Sequence, residues 1–394
     1  MRSPLRIFES QRSVKHFKRL IIRLLKALSR QRGGPESFIV PAYTGLGNFL
    51  MMTPMVRTLR ALYPSARIHV LAGNRFGTEA VFRTGDGIVD AVHWLDEKLP
   101  TWQKALFFLR LRRERIATAF IPFDASPAFY WWGTLVAGIP RRIGHSVDVL
   151  GTDMGWTREA LTDDVPLRHD THESDLHFDL LERFHGPFPR RYETHISQVG
   201  PGVLQRFGLR ERGYIAIQVS AANAGVTPKR WGEDGFAELI RRLTADCETV
   251  VLPGDRNEKP VIDEFLRQHS LTAVNIAGQT SVDEVSAVIK YARLLVCHDS
   301  GQMHIGNAHG TPLIALYGPT DDVFTAPKAP TSRMLRVPLP CAPCMKNFAK
   351  TEAEALRDCP IEIRCMRDLP VEEVYAACKE ALAAAQPAAP VFHP

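Results

Sequence analysis

The run His298-Asp299-Ser300-Gly301-Gln302-Met303-His304 packs a carboxylate, a hydroxyl, a glycine and two imidazoles into one short stretch, directly after the apolar segment Leu294–Cys297. An apolar segment followed by Asp-Ser-Gly and then a helical pattern predicts a strand that turns straight into a helix. At such a start the amides of Ser300, Gly301, Gln302 and Met303 lack partners within the helix, and the helix dipole favours an anion before them. A diphosphate has the right charge and size. Met303 would bind through its amide, Gly301 permits close approach, and His304 falls one turn further on the same side. Asp299 and Ser300 also suit a simple helix cap, and His304 suits a polar residue satisfied in the core.

Three further segments carry polar groups at the ends of apolar runs. Thr44-Gly45-Leu46-Gly47-Asn48, continuing to Thr53, follows the run 38–43 and lets a substrate approach the backbone near Gly45, Gly47 and Asn48. It lacks the third glycine of a dinucleotide fingerprint, so it also reads as a short turn. Lys229 in VTPKRWGEDGF (226–236) offers a mobile cation for phosphates, with Arg230 as its competitor beside a packed Trp231. Glu258 in LPGDRNEK (252–259) opens a helix, where it can accept from ribose hydroxyls or simply match the helix dipole.

The chain has seven cysteines. Cys341, Cys344, Cys359 and Cys365 form a C-x2-C-x14-C-x5-C cluster compatible with a tetrahedral zinc or iron site. Free surface thiols and reversible disulfides fit the same pattern. Cys247, Cys297 and Cys378 sit in apolar patterns and read as core residues.

These groups need a scaffold, and the pattern supplies one. From Glu36 onward, short apolar runs at 38–43, 67–73, 89–95 and 116–123 alternate with helical stretches at 51–63, 101–114 and 172–184. A second cycle of runs at 214–220, 248–254, 273–278, 294–300 and 312–318 alternates with helices at 233–246, 257–268, 281–291 and 302–309. This rhythm demands parallel sheets covered on both faces. Prolines 187, 189 and 201 mark the junction. We therefore expect a basic segment over 1–35, a first Rossmann-like domain over 36–200 and a second over 201–370 containing the Cys-rich loop 341–365. A C-terminal helix and tail over 371–394 complete the chain, the helix at 371–385 and a disordered end. In open parallel sheets ligands bind at the carboxyl ends of strands, which places the site in a cleft between the two halves.

Composition narrows the class. The net charge is +6, with 45% hydrophobic and 23% charged residues. Residues 1–35 hold ten Lys and Arg against one acid, a surplus of +9 that leaves the remainder at −3. A mildly acidic body argues against nucleic acid. No stretch reaches the length of a membrane span, and no secretory signal is visible. Within the basic segment, residues 14–30 fit an amphipathic helix, with Phe17, Leu20, Ile21, Leu24, Leu25 and Leu28 opposite Lys15, Arg19, Arg23, Lys26 and Arg30. Such a helix suits an anionic membrane surface.

Taken in order, TGLGNFLMMTPMVRTLRALYPSARI (44–68), KRW (229–231), GDRNE (254–258), AGQTSVDEVSAVI (277–289) and DSGQMHIGNAHGTPLIALYGPT (299–320) resemble glycosyltransferase family 9, the heptosyltransferases of the lipopolysaccharide inner core. The resemblance implies an α/β fold of GT-B type, two Rossmann-like doubly wound domains facing a cleft. It implies inverting transfer of a sugar, heptose, from a nucleotide-diphosphate sugar such as ADP-heptose to a lipid-linked saccharide, with no cofactor required for transfer. It places Lys229 on phosphate, Glu258 on ribose, and Ser300, Gly301 and His304 on the diphosphate and sugar. A peripheral enzyme on the inner face of the cytoplasmic membrane follows.

The chain departs from the family in one respect: its glycine turn ends in Asn48, where the family has an aspartate read as the general base. An amide takes no proton at neutral pH. Asp124, His145 or Asp299 would have to serve instead, or leaving-group stabilisation carries most of the rate, with Asn48 orienting the acceptor hydroxyl. Loss of transfer is the remaining option. Two rival readings stand beside the main one: a transferase of the same family with a protein acceptor, and a non-catalytic nucleotide-sugar-binding protein.

Overall fold

The structure is a computed structural model that describes residues 36–73, 77–123, 127–146, 157–220, 227–246, 248–346 and 351–384. It divides into two compact units, between His195 and Ile196.

Unit 1 is built on β1 (Ser37–Ala42), β2 (Arg67–Ala72), β3 (Ala91–Trp94), β4 (Thr118–Ile121), β5 (Arg141–Gly144) and β6 (Asp163–Asp164). The strands lie in the order β3-β2-β1-β4-β5-β6 and pair in parallel throughout. Every residue of β1 is buried because helices cover the sheet. Those used below are α1 (Leu46–Leu62), α2 (Thr101–Leu111), α3 (Ala128–Val136) and α4 (Glu173–His185).

Helix α1 starts five residues before the expected 51, because Gly45 in extended conformation already serves as its cap residue. Pro54 lies inside it and removes the N–H that would reach the Leu50 carbonyl. The Thr53 hydroxyl takes over that carbonyl at 2.7 Å. Helix α3, an unexpected element, packs so closely on α2 that a side chain at Gly133 would collide with Phe108.

Unit 2 repeats the plan with β7 (Tyr214–Ile217), β8 (Thr249–Leu252), β9 (Val274–Asn275), β10 (Leu294–His298), β11 (Leu313–Tyr317) and β12 (Ser332–Arg336), in the order β12-β11-β10-β7-β8-β9. Its helices include α5 (Glu233–Ala245), α6 (Lys259–Gln268), α7 (Val282–Tyr291), α8 (Gly301–His309), α9 (Glu352–Arg357) and α10 (Val371–Ala384). The edge strand β12 was not foreseen: it is short, half-exposed and flanked by charges. Trp231, Phe236, Ile240, Val296, Ile314 and Cys378 belong to one buried cluster that joins the sheet to α5 and α10.

In each unit the chain order reverses once, between β1 and β4 and between β7 and β10. Strands on the two sides of such a point send their following loops apart, which opens a crevice at their carboxyl ends. The Gly45–Asn48 turn follows β1, and Asp299-Ser300 follows β10. Two of the candidate loops thus stand at the switch points of their own sheets.

Candidate functional site

In unit 2 the site is assembled from beneath by a histidine. His298 ends β10 wholly buried, and the Trp231 N–H donates to its Nε2 at 3.0 Å. Burial, aided by nearby Arg230 and Lys229, pushes its pKa down to about 3, so the ring is a neutral acceptor. This bond ties Lys229-Arg230-Trp231 to the end of the strand that launches α8. Arg230 is turned aside: it pairs with Glu233 at 2.9 Å and reaches the Val219 carbonyl.

Ser300 is extended (φ −156°, ψ 172°) and precedes α8, yet its side chain does not cap the helix. Its hydroxyl instead donates to Gln218 Oε1, at 2.7 Å, across the switch point. The first turn of α8 therefore has neither a side-chain cap nor an acidic residue. Ser300, Gly301 and Gln302 are partly exposed, whereas the Met303 side chain is buried, with the Tyr317 hydroxyl 3.4 Å from its sulfur. The amides of a helix start need partners, and at α8 the cap residue's side chain supplies none.

Asp299 stands behind this turn, 8% exposed, with Thr325 and Thr320 hydroxyls on its carboxylate. Burial raises its pKa, against the pull of Lys229. The Lys229 ammonium lies 3.8 Å from Asp299 and 2.8 Å from Glu352. Burial disfavours its charge, but Asp299 and then Glu352 prevail and hold its pKa above the usual value. Lys229 is therefore a held cation rather than the mobile one expected. The second oxygen of Glu352 accepts from the Thr227 hydroxyl at 3.2 Å. His304 is buried, and burial together with Lys229 lowers its pKa to about 4, so it is neutral.

Glu258 precedes α6. One carboxylate oxygen accepts the Asp255 N–H at 2.7 Å. The other is buried with no hydrogen bond of good geometry, although Ser220 lies beside it. Burial raises the pKa of this group. An unmatched buried oxygen costs on the order of 1–3 kcal/mol, so a hydroxyl donor arriving there would be favoured.

In unit 1, Gly45 is exposed, and Leu46, Gly47 and Asn48 are partly so. The Asn48 amide nitrogen lies 3.0 and 3.1 Å from the two carboxylate oxygens of Glu173. Glu173 opens α4 and is wholly buried, with His177 Nε2 3.6 Å from one of its oxygens. The structure corrects two expectations here. Thr53 is not available to a substrate: it is wholly buried, its hydroxyl donating to Leu50 and accepting the His195 N–H at 2.8 Å. His145 is not a base candidate either, since its ring is buried between the Val165 and Leu176 carbonyls at 3.0 and 3.2 Å. Asp124 lies outside the described residues, as do the helix expected at 14–30, Cys247 and the tail beyond 384.

The cysteine cluster packs beside the loop that follows β11. Met366 and Cys365 close over Gly318, and the Met345 N–H donates to the Pro319 carbonyl at 2.8 Å. Burial, then the neighbouring Cys344, Cys359 and Cys341, push the Cys365 pKa up to about 11. Cys359 sulfur accepts the Ile363 N–H at 3.1 Å, and Cys341 is exposed. Among the described residues no group of three or more His, Cys, Asp or Glu side chains is arranged to hold a metal ion. The thiols as placed do not form a ligand set for the zinc or iron expected there. Cys297 and Cys378 are core residues, as their patterns implied.

Comparison with known proteins decides the family. The description "Glycosyltransferase family 9 (heptosyltransferase)" matches residues 188–354. Lipopolysaccharide heptosyltransferase 2 of Escherichia coli (strain K12) is 34% identical over 325 residues, covering 74% of this chain and 85% of that protein. The chain belongs to glycosyltransferase family 9. It is a glycosyltransferase, and its two doubly wound sheets are those of the GT-B type. The solved ADP-heptose lps heptosyltransferase II of E. coli superposes with a TM-score of 0.68 at 22% identity, over 89% of this chain and 99% of that one. A family 9 glycosyl transferase from Veillonella parvula DSM 2008 gives 0.72 at 18% identity, over 89% and 98%.

For this glycosyltransferase, the sequence placed Lys229, Asp299, Ser300, Gly301 and His304 around one strand end, and the structure brings them together there. Glu352 and Glu173 were missed. Thr351-Glu352-Ala353-Glu354 carries a capping-box signature, and Thr351 and Glu354 do form that box. The signature marks a helix start but says nothing of what the intervening Glu352 will face. Among the described residues no helix is long and apolar enough to cross a membrane.

Proposed function

We propose that this glycosyltransferase moves heptose from ADP-heptose to a lipid-linked saccharide such as the lipopolysaccharide core, inverting the anomeric centre in one displacement. The observation that carries the reading is the uncapped start of α8 with the Lys229 ammonium held beside it. The heptosyltransferases to which the chain is similar supply the sugar. In this reading unit 2 binds the donor. Its diphosphate takes the amides of Ser300 to Met303 as partners, its ribose takes the unmatched oxygen of Glu258, and His304 lines the sugar side as a neutral group. Unit 1 presents the acceptor at Gly45, Gly47 and Asn48.

The acceptor oxygen attacks the anomeric carbon while the bond to the diphosphate breaks; the electron pair leaves with the nucleotide, and the hydroxyl proton passes to solvent as the new carbon–oxygen bond forms. Lys229 and the α8 amides stabilise that departing charge, a contribution that in comparable sites is worth about 10²–10³ in rate per donor. Asp299 anchors Lys229, and Asn48 orients the attacking hydroxyl. A basic amphipathic segment at 14–30 would keep the enzyme at the inner face of the cytoplasmic membrane, near a lipid acceptor. No metal enters the reading.

The test is a thermal-shift series followed by product analysis. At about 100 times its dissociation constant a true donor stabilises by roughly 2.7 kcal/mol. ADP-heptose should raise the melting temperature more than UDP- or GDP-sugars, and the heptosylated product should show the inverted anomer by NMR. Equal shifts for all nucleotides, or a retained anomer, would overturn the proposal.

A further inference from the structure

Helix α2 has two apolar faces, and the core of unit 1 uses only one. Phe108 and Leu111 are buried there, with Phe107 packed against the same cluster. At about 3.6 residues per turn, Trp102, Leu106 and Leu109 fall on the opposite side. All three are exposed, Trp102 by 66% and Leu109 by 48%. Trp94, which ends β3, is exposed as well. Among the described residues, four of the six exposed large hydrophobic side chains thus belong to β3 and α2. A helix on the surface of a globular domain ordinarily turns polar groups outward, so this stripe calls for a partner. At the far end of the stripe Arg110 and, just past the helix, Arg113 and Arg115 are exposed.

Charge selects the partner. Residues 94–115 hold Lys98, Lys104, Arg110, Arg112, Arg113 and Arg115 against Asp96, Glu97 and Glu114, a surplus of +3 that reaches +5 from Lys98 onward. Glu114 itself pairs with Arg67 at 3.1 Å. The chain beyond residue 35 nets −3, so the surplus is local. Like charge argues against two occupants. The chain's own segment over 1–35, at +9, would be repelled, and a two-fold pairing with a second copy would set the surplus against itself. The headgroup layer of an anionic bilayer accepts both halves of the stripe: tryptophan and leucine enter it, and arginine stays with its phosphates. The place in the fold suits this. Trp94 is level with Ala72, and Ala72 with Ala42, so the amino end of α2 and the Gly45–Asn48 turn share the carboxyl end of the sheet. The Tyr43 hydroxyl donates to the Leu95 carbonyl at 2.9 Å and ties the two together.

We propose that the outer face of α2 is a docking surface for an anionic lipid bilayer, with Trp102, Leu106 and Leu109 entering the headgroup layer and Arg110 and Arg113 meeting lipid phosphates. The helix lies in the plane of the interface and does not cross it. This contact belongs to the folded body of unit 1 and is separate from the basic segment at 14–30. For its purpose it rests on the proposed lipid-linked acceptor, which it would bring to the glycine-turn end of the sheet. The binding itself rests on the surface alone.

The test is co-sedimentation of the full-length protein with phosphatidylcholine vesicles, with and without phosphatidylglycerol. Wild type should bind the anionic vesicles and lose much of that binding in high salt. The triple variant Trp102→Ser, Leu106→Ser, Leu109→Ser should bind at least about tenfold more weakly. Arg110→Gln with Arg113→Gln should also cost about tenfold, and only at low salt. Both variants change exposed side chains and should keep the melting temperature and ADP binding of wild type. A local readout separates α2 from the basic segment over 1–35. Lipids brominated in their chains should quench wild-type tryptophan emission, and Trp102→Phe should bind as well yet lose much of that quenching. A serine variant that binds like wild type, quenching unchanged in Trp102→Phe, or a dimer that the serine variant dissolves would overturn the inference. Binding to neither vesicle would overturn it in favour of an acidic protein partner. A protein that docks through α2 yet transfers to no lipid-linked saccharide would fault the proposed function and leave this surface standing.

Discussion

The first turns of α1 and α8 are built alike and keep different company. Each follows a buried central strand at the switch point of its own sheet, and each begins without a side-chain cap or an acidic residue in its first turn. At α8 the neighbouring loops bring an ammonium, Lys229, whose charge is held by Asp299 and Glu352. At α1 the neighbour is α4, which brings a buried carboxylate to an amide. The same backbone device thus stands beside a lysine held between two carboxylates in one unit and beside an amide bonded to a buried glutamate in the other. A helix start makes anion binding available, and the proposed division into a diphosphate seat and a hydroxyl seat rests on the side chains delivered to each.

The sharpest way to break this contrast is Lys229→Ala. Loss of the cation should cut kcat/KM by about 10²–10³-fold and weaken ADP binding measured by calorimetry. Unchanged nucleotide affinity would remove the distinction between the two loops.

Acid tests the α8 loop from beneath. Burial lowers the pKa of His298 to about 3 and of His304 and His309 to about 4. A histidine depressed in the folded state binds more protons when unfolded, so its contribution is complete above the ordinary value near 6.5 and is lost as pH falls toward 4. Each such group should remove about 1.4 kcal/mol of stability per pH unit in that window. Urea unfolding at pH 7, 6 and 5 should show the decline, and a flat profile would mean these rings are not held neutral.

The smallest effect sharpens the comparison. Glu352 sits 2.8 Å from Lys229, where an incoming phosphate would compete with it. Because Glu352 is 41% exposed and solvent screens the pair, Glu352→Gln should tighten ADP binding only about two- to fivefold. The gain should shrink with added salt. Weaker binding would instead make Glu352 part of the donor site.

Much of this arrangement is legible in the residues. The apolar runs and helical periods locate β7, β8, β10 and β11, and the Asp-Ser-Gly turn after β10 marks the α8 start within one residue of the observed one. The signal failed where local pattern and tertiary role diverge. Helix α1 begins earlier than its pattern suggests because Gly45, which reads as part of a turn, is extended and serves as the cap residue, with Gly47 already inside the helix. The aromatic-rich α3 shows no polar face to reveal its period, and β12 is too exposed to look like a strand. Thr53 looked like a substrate contact from its place beside the glycine turn, yet Pro54 leaves a carbonyl that its hydroxyl must satisfy.

By itself, the sequence determined two parallel sheets, the turns that follow their central strands and the family to which the chain belongs. Those follow from hydrophobic period and short-range turn chemistry, which act within a dozen residues. Only the tertiary structure decided that Asn48 answers to Glu173, that Lys229 is held by Glu352, and that His298 fastens one loop to another. Each of those pairs spans from 67 to 125 residues, and no local propensity reaches that far. Burial then kept His298 neutral, while Asp299 and Glu352 held the charge of Lys229 against it.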